Sequence, residues 1–506
     1  MEQGAHRQLR QITELYTQKK EGAQLLFSES VPAYSEILRN DNLCVSEFAP
    51  RGWGERVYLF LSDNETQRMV GFLDFAPPPL AVGGSSPQRR EDYLLIEASL
   101  AWPSEFREKG WMRLSCDSTS YQMLGCEEFE CVPWVIPRPG FTNWCAQAAT
   151  HTALDICRSA PFNARPLGVF DISRIGRQRS ADESAHLGTG LGGEGLTPQG
   201  VMRAMSSGWC RLEALCKGLP FTLTEERELP WAMRVAYLRG LIRSGIPAVL
   251  CLNWSSWRGK VREDVCPNED KRQELLKKNG ASTAGRHAVV LTGYKGEQEA
   301  SKDDLFVVCD PTLGPFVTVR AEDLLRAMAN FRAGKSERHH FCRLNFVMPT
   351  PVGVCQDLNS VYKVVENLVN QLRCETKLHG KIDALAGIDT PIAQSVDWNP
   401  AHLIYNLEHT RGFVSGRIYN KLRLGLRKVP EEVPEAWGEV LQFAQRILDG
   451  TGIRYLWTVL IPVSEEGREK GQMPVLIAVP ATVSSSEAPG VVLALAFERQ
   501  TEGSSS

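Results

Sequence analysis

One pair of apolar runs limits what this chain can fold into more than any other feature. The first is Gly285-Arg286-His287-Ala288-Val289-Val290-Leu291-Thr292-Gly293-Tyr294, and the second is Leu305-Phe306-Val307-Val308-Cys309, followed by Asp310-Pro311. β-Branched and apolar residues bounded by Gly and Pro are the pattern of buried strands. The turn-rich segment Lys295–Asp304 lies between them, so the two strands pair as an antiparallel hairpin. His287, near the start of one strand, then lies beside Asp310, at the end of the next. Local pattern alone predicts an imidazole oriented by a carboxylate.

A thiol stands upstream of both. Cys145 opens a stretch with apolar or small residues at Cys145, Ala148, Ala149, Thr152, Ala153 and Ile156. This i, i+3, i+4 stripe predicts a helix packed on one side. Thr142 and Asn143 precede it and are good N-cap types. Cys145 therefore sits in the first turn, where free N–H groups and the helix dipole favour a thiolate. Thiol, imidazole and carboxylate form the set that nucleophilic thiol catalysis requires. Nothing in the local pattern says that Cys145 comes within reach of His287.

Several further pieces carry a resemblance. Asn143-Trp144-Cys145-Ala146 looks like the start of a nucleophile helix. Leu196-Thr197-Pro198-Gln199-Gly200 precedes an amphipathic helix, and Leu241 to Leu250 reads as helix, Gly245, Pro247, strand. Gly285 to Tyr294 matches a Gly-x-His-Ala-Val-Val strand, and Asp310-Pro311-Thr312-Leu313-Gly314 matches an Asp-Pro-x-x-Gly turn. Residues 131–345 on these grounds resemble the papain-like cysteine peptidases, C39-like branch. His287 follows Cys145 by 142 positions (287 − 145), within the roughly 130–150 of papain-type enzymes. The resemblance implies a papain-like fold and a catalytic triad of Cys145, His287 and Asp310. Such enzymes usually carry an oxyanion-donating Gln five or six residues before the nucleophile. Here Arg138, Pro139 and Gly140 occupy that region. Asn143 is the expected substitute, with the backbone N–H of Cys145 as second donor. Gln147 is a weaker candidate because it points along the helix side.

Composition sets the outer bounds. With 506 residues, several domains are expected. An apolar content of 43% with 23% charge is that of a folded soluble protein. A net charge of −3 gives no argument for nucleic acid or an anionic membrane as partner. There is no long uncharged apolar run, and Met1–Lys20 lacks the apolar core of a signal peptide, so a cytoplasmic protein is expected. The 14 cysteines are scattered through apolar segments, Cys157, Cys216, Cys251 and Cys309 among them, as reduced buried thiols are. No cofactor or metal is implied.

The expected fold class is α+β, with a papain-like domain (131–350) flanked by two smaller α+β domains (1–130 and 351–500) and a disordered tail (501–506). The first contains an N-terminal helix and strands at Val57–Leu61, Met69–Leu73 and Tyr93–Leu100, with a Pro/Gly/Ser-rich loop at Pro77–Arg90. The third contains helices at Leu358–Lys377 and Glu435–Leu448, then strands at Tyr455–Val463, Pro474–Val479 and Val491–Phe497.

Other features read plainly. Gly188–Gly195 lacks the strand and Lys-Ser/Thr of a phosphate loop and reads as a mobile loop. Thr197 and Pro198 read as the N-cap and first residue of a helix. His339, His340 and Cys342 form no complete metal set, nor do Cys126 and Cys131. His151 faces away from Cys145 and reads as structural. Trp144 either lines a subsite or wedges its helix into the core. Arg258–Gly285 is polar and reads as a solvated insertion, with a lid beside the site as the functional alternative. The function expected is a cysteine peptidase or deconjugating hydrolase acting on a protein or peptide, with the terminal domains for substrate or partner recognition. Acyl transfer to an amine, as in transglutaminase-like enzymes, fits the spacing less well. An inactive papain-like module used for protein binding is the alternative from another class.

Overall fold

The computed structural model describes residues 3–17, 23–29, 31–34, 53–62, 67–76, 94–107, 110–114, 131–135, 145–157, 164, 167–177, 196–208, 214–220, 231–254, 257, 286–297, 299–329, 344–351, 404–409, 455–461, 475–480 and 493–496. The chain divides into two compact units. The first comprises Met1–Glu228, Gly245–Lys295 and Asp303–Thr350, and the second comprises Leu229–Ser244, Gly296–Lys302 and Pro351–Ser506.

In chain order the described elements begin with α1 (Gln3–Thr17), β1 (Gln24–Phe27), β2 (Val31–Tyr34), β3 (Trp53–Ser62), β4 (Gln67–Ala76), β5 (Leu94–Ala101), β6 (Trp111–Arg113) and β7 (Cys131–Val135). Next come α2 (Cys145–Ile156), α3 (Val169–Arg177), α4 (Pro198–Gly208), β8 (Ala214–Pro220), α5 (Trp231–Arg243), β9 (Ala248–Asn253), β10 (Arg286–Lys295), β11 (Leu305–Asp310) and β12 (Gly314–Arg320). The remainder are α6 (Ala321–Ala329), β13 (Leu344–Pro351), β14 (Ile404–His409), β15 (Tyr455–Ile461), β16 (Val475–Pro480) and β17 (Leu493–Ala496). The mixture of helices with antiparallel sheets is the α+β class expected.

Unit 1 contains two sheets. One runs β1-β3-β4-β5-β7 with β2 also on β3, and the other runs β12-β11-β10-β9-β13-β8 with β6 also on β10. The expected strands at Val57–Leu61, Met69–Leu73 and Tyr93–Leu100 form the bodies of β3, β4 and β5. Arg56 faces Asp74 across β3 and β4 and makes two hydrogen bonds, Nε to Oδ1 at 2.7 Å and Nη2 to Oδ2 at 2.8 Å. The guanidinium also lies 3.7 Å from the Phe72 ring centroid. A buried carboxylate needs such a fork.

Two strands cross the expected boundary at residue 130. β7, from beyond it, completes the first sheet by pairing with β5. β6, from before it, pairs with β10 at Gly293–Lys295. β9 covers the same edge of β10 at Arg286–Leu291, while β11 covers the other. β10 is therefore hydrogen-bonded on both sides. Gly293 makes this possible: a Cβ there would stand 3.0 Å from the Met112 carbonyl oxygen and 3.2 Å from the Trp102 ring.

Helix α2 has the bounds read from sequence, but not the one-sided packing. Every residue of it is buried. It lies against β7, β9 and β10 on the sheet side and against α3 and α4 on the other. The polar residues that periodicity turns outward find buried partners instead. Gln147 Nε2 donates to Ser173 Oγ at 3.2 Å, Thr150 Oγ1 donates to the Ala146 carbonyl at 2.6 Å, and His151 Nδ1 meets the Leu167 carbonyl at 2.7 Å. Ile96, Val135, Ala148 and Val169 form a buried cluster that joins β5, β7, α2 and α3. At α4, Thr197 Oγ1 accepts the Gly200 N–H at 2.9 Å, the N-cap expected from Thr197-Pro198.

Unit 2 contains the antiparallel sheet β14-β15-β16-β17, with Leu456, Trp457 and Val459 buried. Helix α5 packs on β14. Arg239 of α5 donates to the carbonyls of Glu297 and Glu299 at 2.8 and 3.0 Å. The expected strands near 455, 474 and 491 are β15, β16 and β17. The helices expected at 358–377 and 435–448, the loops at 77–90 and 188–195, and the tail lie outside the described residues.

Gly71 shows how tightly the first sheet is built. It follows a bulge at which Leu59 pairs with Gly71 and Phe60 with Met69, and its φ is +152°. A Cβ there would stand 2.2 Å from the Ser99 carbonyl oxygen. Gly71→Ala is expected to destabilise unit 1 by about 3 kcal/mol through overpacking and backbone strain. Its melting transition should fall by roughly 6–12 °C, read by calorimetry; an unchanged transition would refute the close approach.

Candidate active site

Three elements of unit 1 bring the sequence-selected residues together. Cys145 is the first residue of α2, His287 the second of β10, and Asp310 the last of β11. Val290 pairs with Cys309, and continuing that register sets Asp310 opposite Val289. His287, two residues from Val289, shares its face of the sheet, as alternation in a strand requires. The outcome is a bond of 3.0 Å between His287 Nε2 and Asp310 Oδ2. The Cys145 thiol lies close enough to the same imidazole to act on its charge. With Nε2 engaged by Asp310, Nδ1 is the nitrogen left for the sulfur.

The carboxylate is fully enclosed, at 0% exposure. Its Oδ1 accepts the backbone N–H groups of Thr312 at 2.7 Å and Leu313 at 3.0 Å, which close the Asp-Pro-x-x-Gly turn. Its Oδ2 accepts the Trp257 indole N–H at 2.8 Å in addition to His287. The backbone carbonyl of Asp310 accepts the Trp134 indole N–H at 2.9 Å. Trp254 packs on the imidazole with ring centroids 4.5 Å apart and planes at 62°.

These surroundings set the charges. Burial raises Asp310, but the His287 charge and hydrogen bond, the Thr312 N–H and the Trp257 N–H outweigh it, and its pKa is lowered. Burial lowers His287, but the charge and hydrogen bond of Asp310, then the hydrogen bond and charge of Cys145, raise it from 6.5 to about 10. Burial, with the nearby charge of Cys145, raises Cys251 on β9. An imidazolium held between a carboxylate and a sulfur is an arrangement that can deliver a proton from a thiol to a leaving group.

The remaining candidates fall as follows. Asn143 and Trp144 lie outside the described residues, as do Arg138–Gly140, Arg258–Gly285, Cys126, His339, His340 and Cys342. Gln147 is fully buried and bonded to Ser173, so it does not serve the thiol. His151 is bonded to Leu167, in keeping with a structural role. Cys131, Cys145, Cys157, Cys251 and Cys309 are all buried and free of disulfides. Among the described residues no three His, Cys, Asp or Glu side chains converge on a metal position, and no helix is long and apolar enough to cross a membrane. Sequence reading missed Trp254 and Trp257. The available signal was Asn253-Trp254-Ser255-Ser256-Trp257, two aromatics directly after an apolar strand where a polar insertion begins.

Folding raises His287, so its contribution to stability is complete below about pH 6.5 and is lost as pH rises through about 10. Asp310 is lowered, so its contribution is present above the ordinary carboxylate range and is lost on acidification through its folded value. His287→Ala leaves a buried carboxylate without its counter-charge and should cost about 3–5 kcal/mol at pH 7. Asp310→Asn in that background should recover part of the loss. Urea unfolding at pH 7 and pH 10 checks both; the deficit of His287→Ala should shrink at pH 10, and equal deficits would contradict the charge assignment.

The chain matches no protein-family model and no curated protein sequence.

Proposed function

We propose that this protein is a cysteine peptidase or deconjugating hydrolase, with residues 131–350 forming a papain-like domain and the rest serving recognition of a protein or peptide substrate in the cytoplasm. The single observation that carries the reading is the linked set of Cys145, His287 and Asp310, with His287 Nε2 and Asp310 Oδ2 3.0 Å apart. A buried thiol–imidazole–carboxylate relay at a helix N-terminus is costly to build. Its chemistry suits the attack of a thiolate on a carbonyl.

In the proposed reaction the Cys145 sulfur, its proton held by His287, bonds to the carbonyl carbon of a peptide or isopeptide. The backbone N–H of Cys145 at the start of α2 stabilises the oxyanion, with Asn143 as the expected second donor. The imidazolium gives its proton to the leaving amine as the C–N bond breaks, which leaves a thioester on Cys145. Neutral His287 then takes a proton from water, whose oxygen attacks the thioester. The C–S bond breaks, the carboxylic acid leaves, and the Cys145 thiolate paired with protonated His287 is restored. Asp310 keeps its charge throughout and holds the ring by Nε2, so that Nδ1 always faces the sulfur.

The test is iodoacetamide inactivation against pH, with each alkylated cysteine mapped by mass spectrometry. Cys145 should react at least tenfold faster than the other buried thiols at pH 7 and lose that advantage in His287→Ala. Equal reactivity of Cys145 and Cys251, or no effect of His287→Ala, would sink the hydrolase reading in favour of a binding module. With a cleavable substrate in hand, Asp310→Asn should lower kcat by roughly 10²–10⁴ with a smaller change in KM, as loss of the orienting carboxylate does in other triads.

A further inference from the structure

We propose that Trp257 is a positioning residue for the candidate triad: its indole N–H holds the Asp310 carboxylate in one orientation, and in its charged form, through the whole reaction. This rests on the hydrolase reading above and deepens it. The argument begins with valence. A carboxylate has about four lone-pair sites, and Asp310 has four donors: Thr312 N–H and Leu313 N–H on Oδ1, His287 Nε2–H and Trp257 Nε1–H on Oδ2. Asp310 and Trp257 are each 0% exposed, so water does not substitute for a missing donor.

The four donors are not equivalent. The two backbone N–H groups reach only Oδ1 and leave Oδ2 to the side chains. His287 changes charge during the proposed cycle, whereas the indole of Trp257 does not titrate and cannot accept the proton. When His287 has passed its proton to a leaving amine, its ring is neutral and its Nε2–H is a weaker donor. Trp257 is then the one constant donor on Oδ2, and it keeps that oxygen from taking the Nε2 proton. The ring therefore stays in the tautomer whose free Nδ1 faces sulfur. Among the described residues, Cys145 of α2 is a titratable group that acts on the pair, and Cys251 of β9 is in electrostatic reach of Cys145. Trp254, over the imidazole, carries no charge.

Removing only the N–H separates positioning from packing. In Trp257→Phe, made in the full chain, the carboxylate should protonate at higher pH, by about one unit. As the pH falls, alkylation of Cys145 by iodoacetamide should decline about one pH unit earlier than in the wild type, following protonation of the carboxylate, while at pH 8 the two rates stay within about twofold. A purely structural role lowers the rate evenly across pH, and either that pattern or a profile superimposed on the wild type overturns the proposal. If wild-type Cys145 shows no His287-dependent reactivity, the hydrolase reading falls, and NMR then decides the positioning role by itself. In ¹⁵N-His protein the acid inflection of the His287 ring should move up by about one pH unit in Trp257→Phe; an unmoved inflection overturns the proposal. Should the variant fail to fold, the wild-type Trp257 indole N–H resonance is read instead. It should shift with the same acid midpoint as the His287 ring, and a flat Trp257 signal refutes the bond.

Discussion

Asp310 is a charge with no exposed surface inside an apolar sheet, and such a group is tolerated only when every lone pair is taken. The four donors on its carboxylate come from three separate places in the chain, the turn after β11, the strand β10 and the segment following β9, and a fifth donor, Trp134 of β7, holds the backbone carbonyl of the same residue. Each donor fixes the position of the element that carries it. The meeting of β10, β11 and the β9 exit around one carboxylate is thus both the electrostatic centre of unit 1 and a constraint on its register. A one-residue slip of β10 against β11 would turn His287 to the opposite face and leave Asp310 with a donor missing.

Rigidity follows from the same arrangement. His287 lies on a strand paired on both edges, by β9 near the site and β6 beyond it, with β11 along the other side. Cys145 begins a helix that is buried on every face, with Gln147 bonded to Ser173 and His151 to Leu167. Both groups are carried by regular elements, the end of a buried helix and a strand paired on both edges. A site on strands and helix termini keeps its geometry better than one built on loops.

Much of this was legible because it is local. The α2 bounds follow from the apolar spacing after Thr142 and Asn143. The β10–β11 hairpin follows from two β-branched runs around a turn, and the His287–Asp310 pairing follows from hairpin geometry. What was not legible depends on long-range pairing. Trp111–Arg113 gives no sign that it will extend the edge of β10, nor Cys131–Val135 that it will finish the sheet of β5, since strand pairing is decided by surfaces distant in sequence. The all-round burial of α2 was hidden for the same reason: the stripe from Cys145 to Ile156 accounts for one packed side, and the partners of Gln147 and His151, Ser173 and Leu167, come from elsewhere in the chain. Trp257 escaped because its partner, Asp310, is 53 residues away and its neighbours are polar.

Energetics bears on whether the relay is structural or chemical. A buried ion pair is weak support for a fold, since well-packed apolar residues in its place are often neutral or stabilising by about 1–4 kcal/mol. Unit 1 already has an extensive apolar interior, with Val289, Val290, Leu291, Phe306, Val307 and Val308 fully enclosed around the pair. The fold therefore has no need of a charge at Asp310 to hold β10 on β11. A sequence under selection for stability alone would replace the His–Asp contact and its indole donor with aliphatic packing. Keeping four donors, a titratable ring and a thiol in register at the end of a helix makes physical sense when a proton has to move between them.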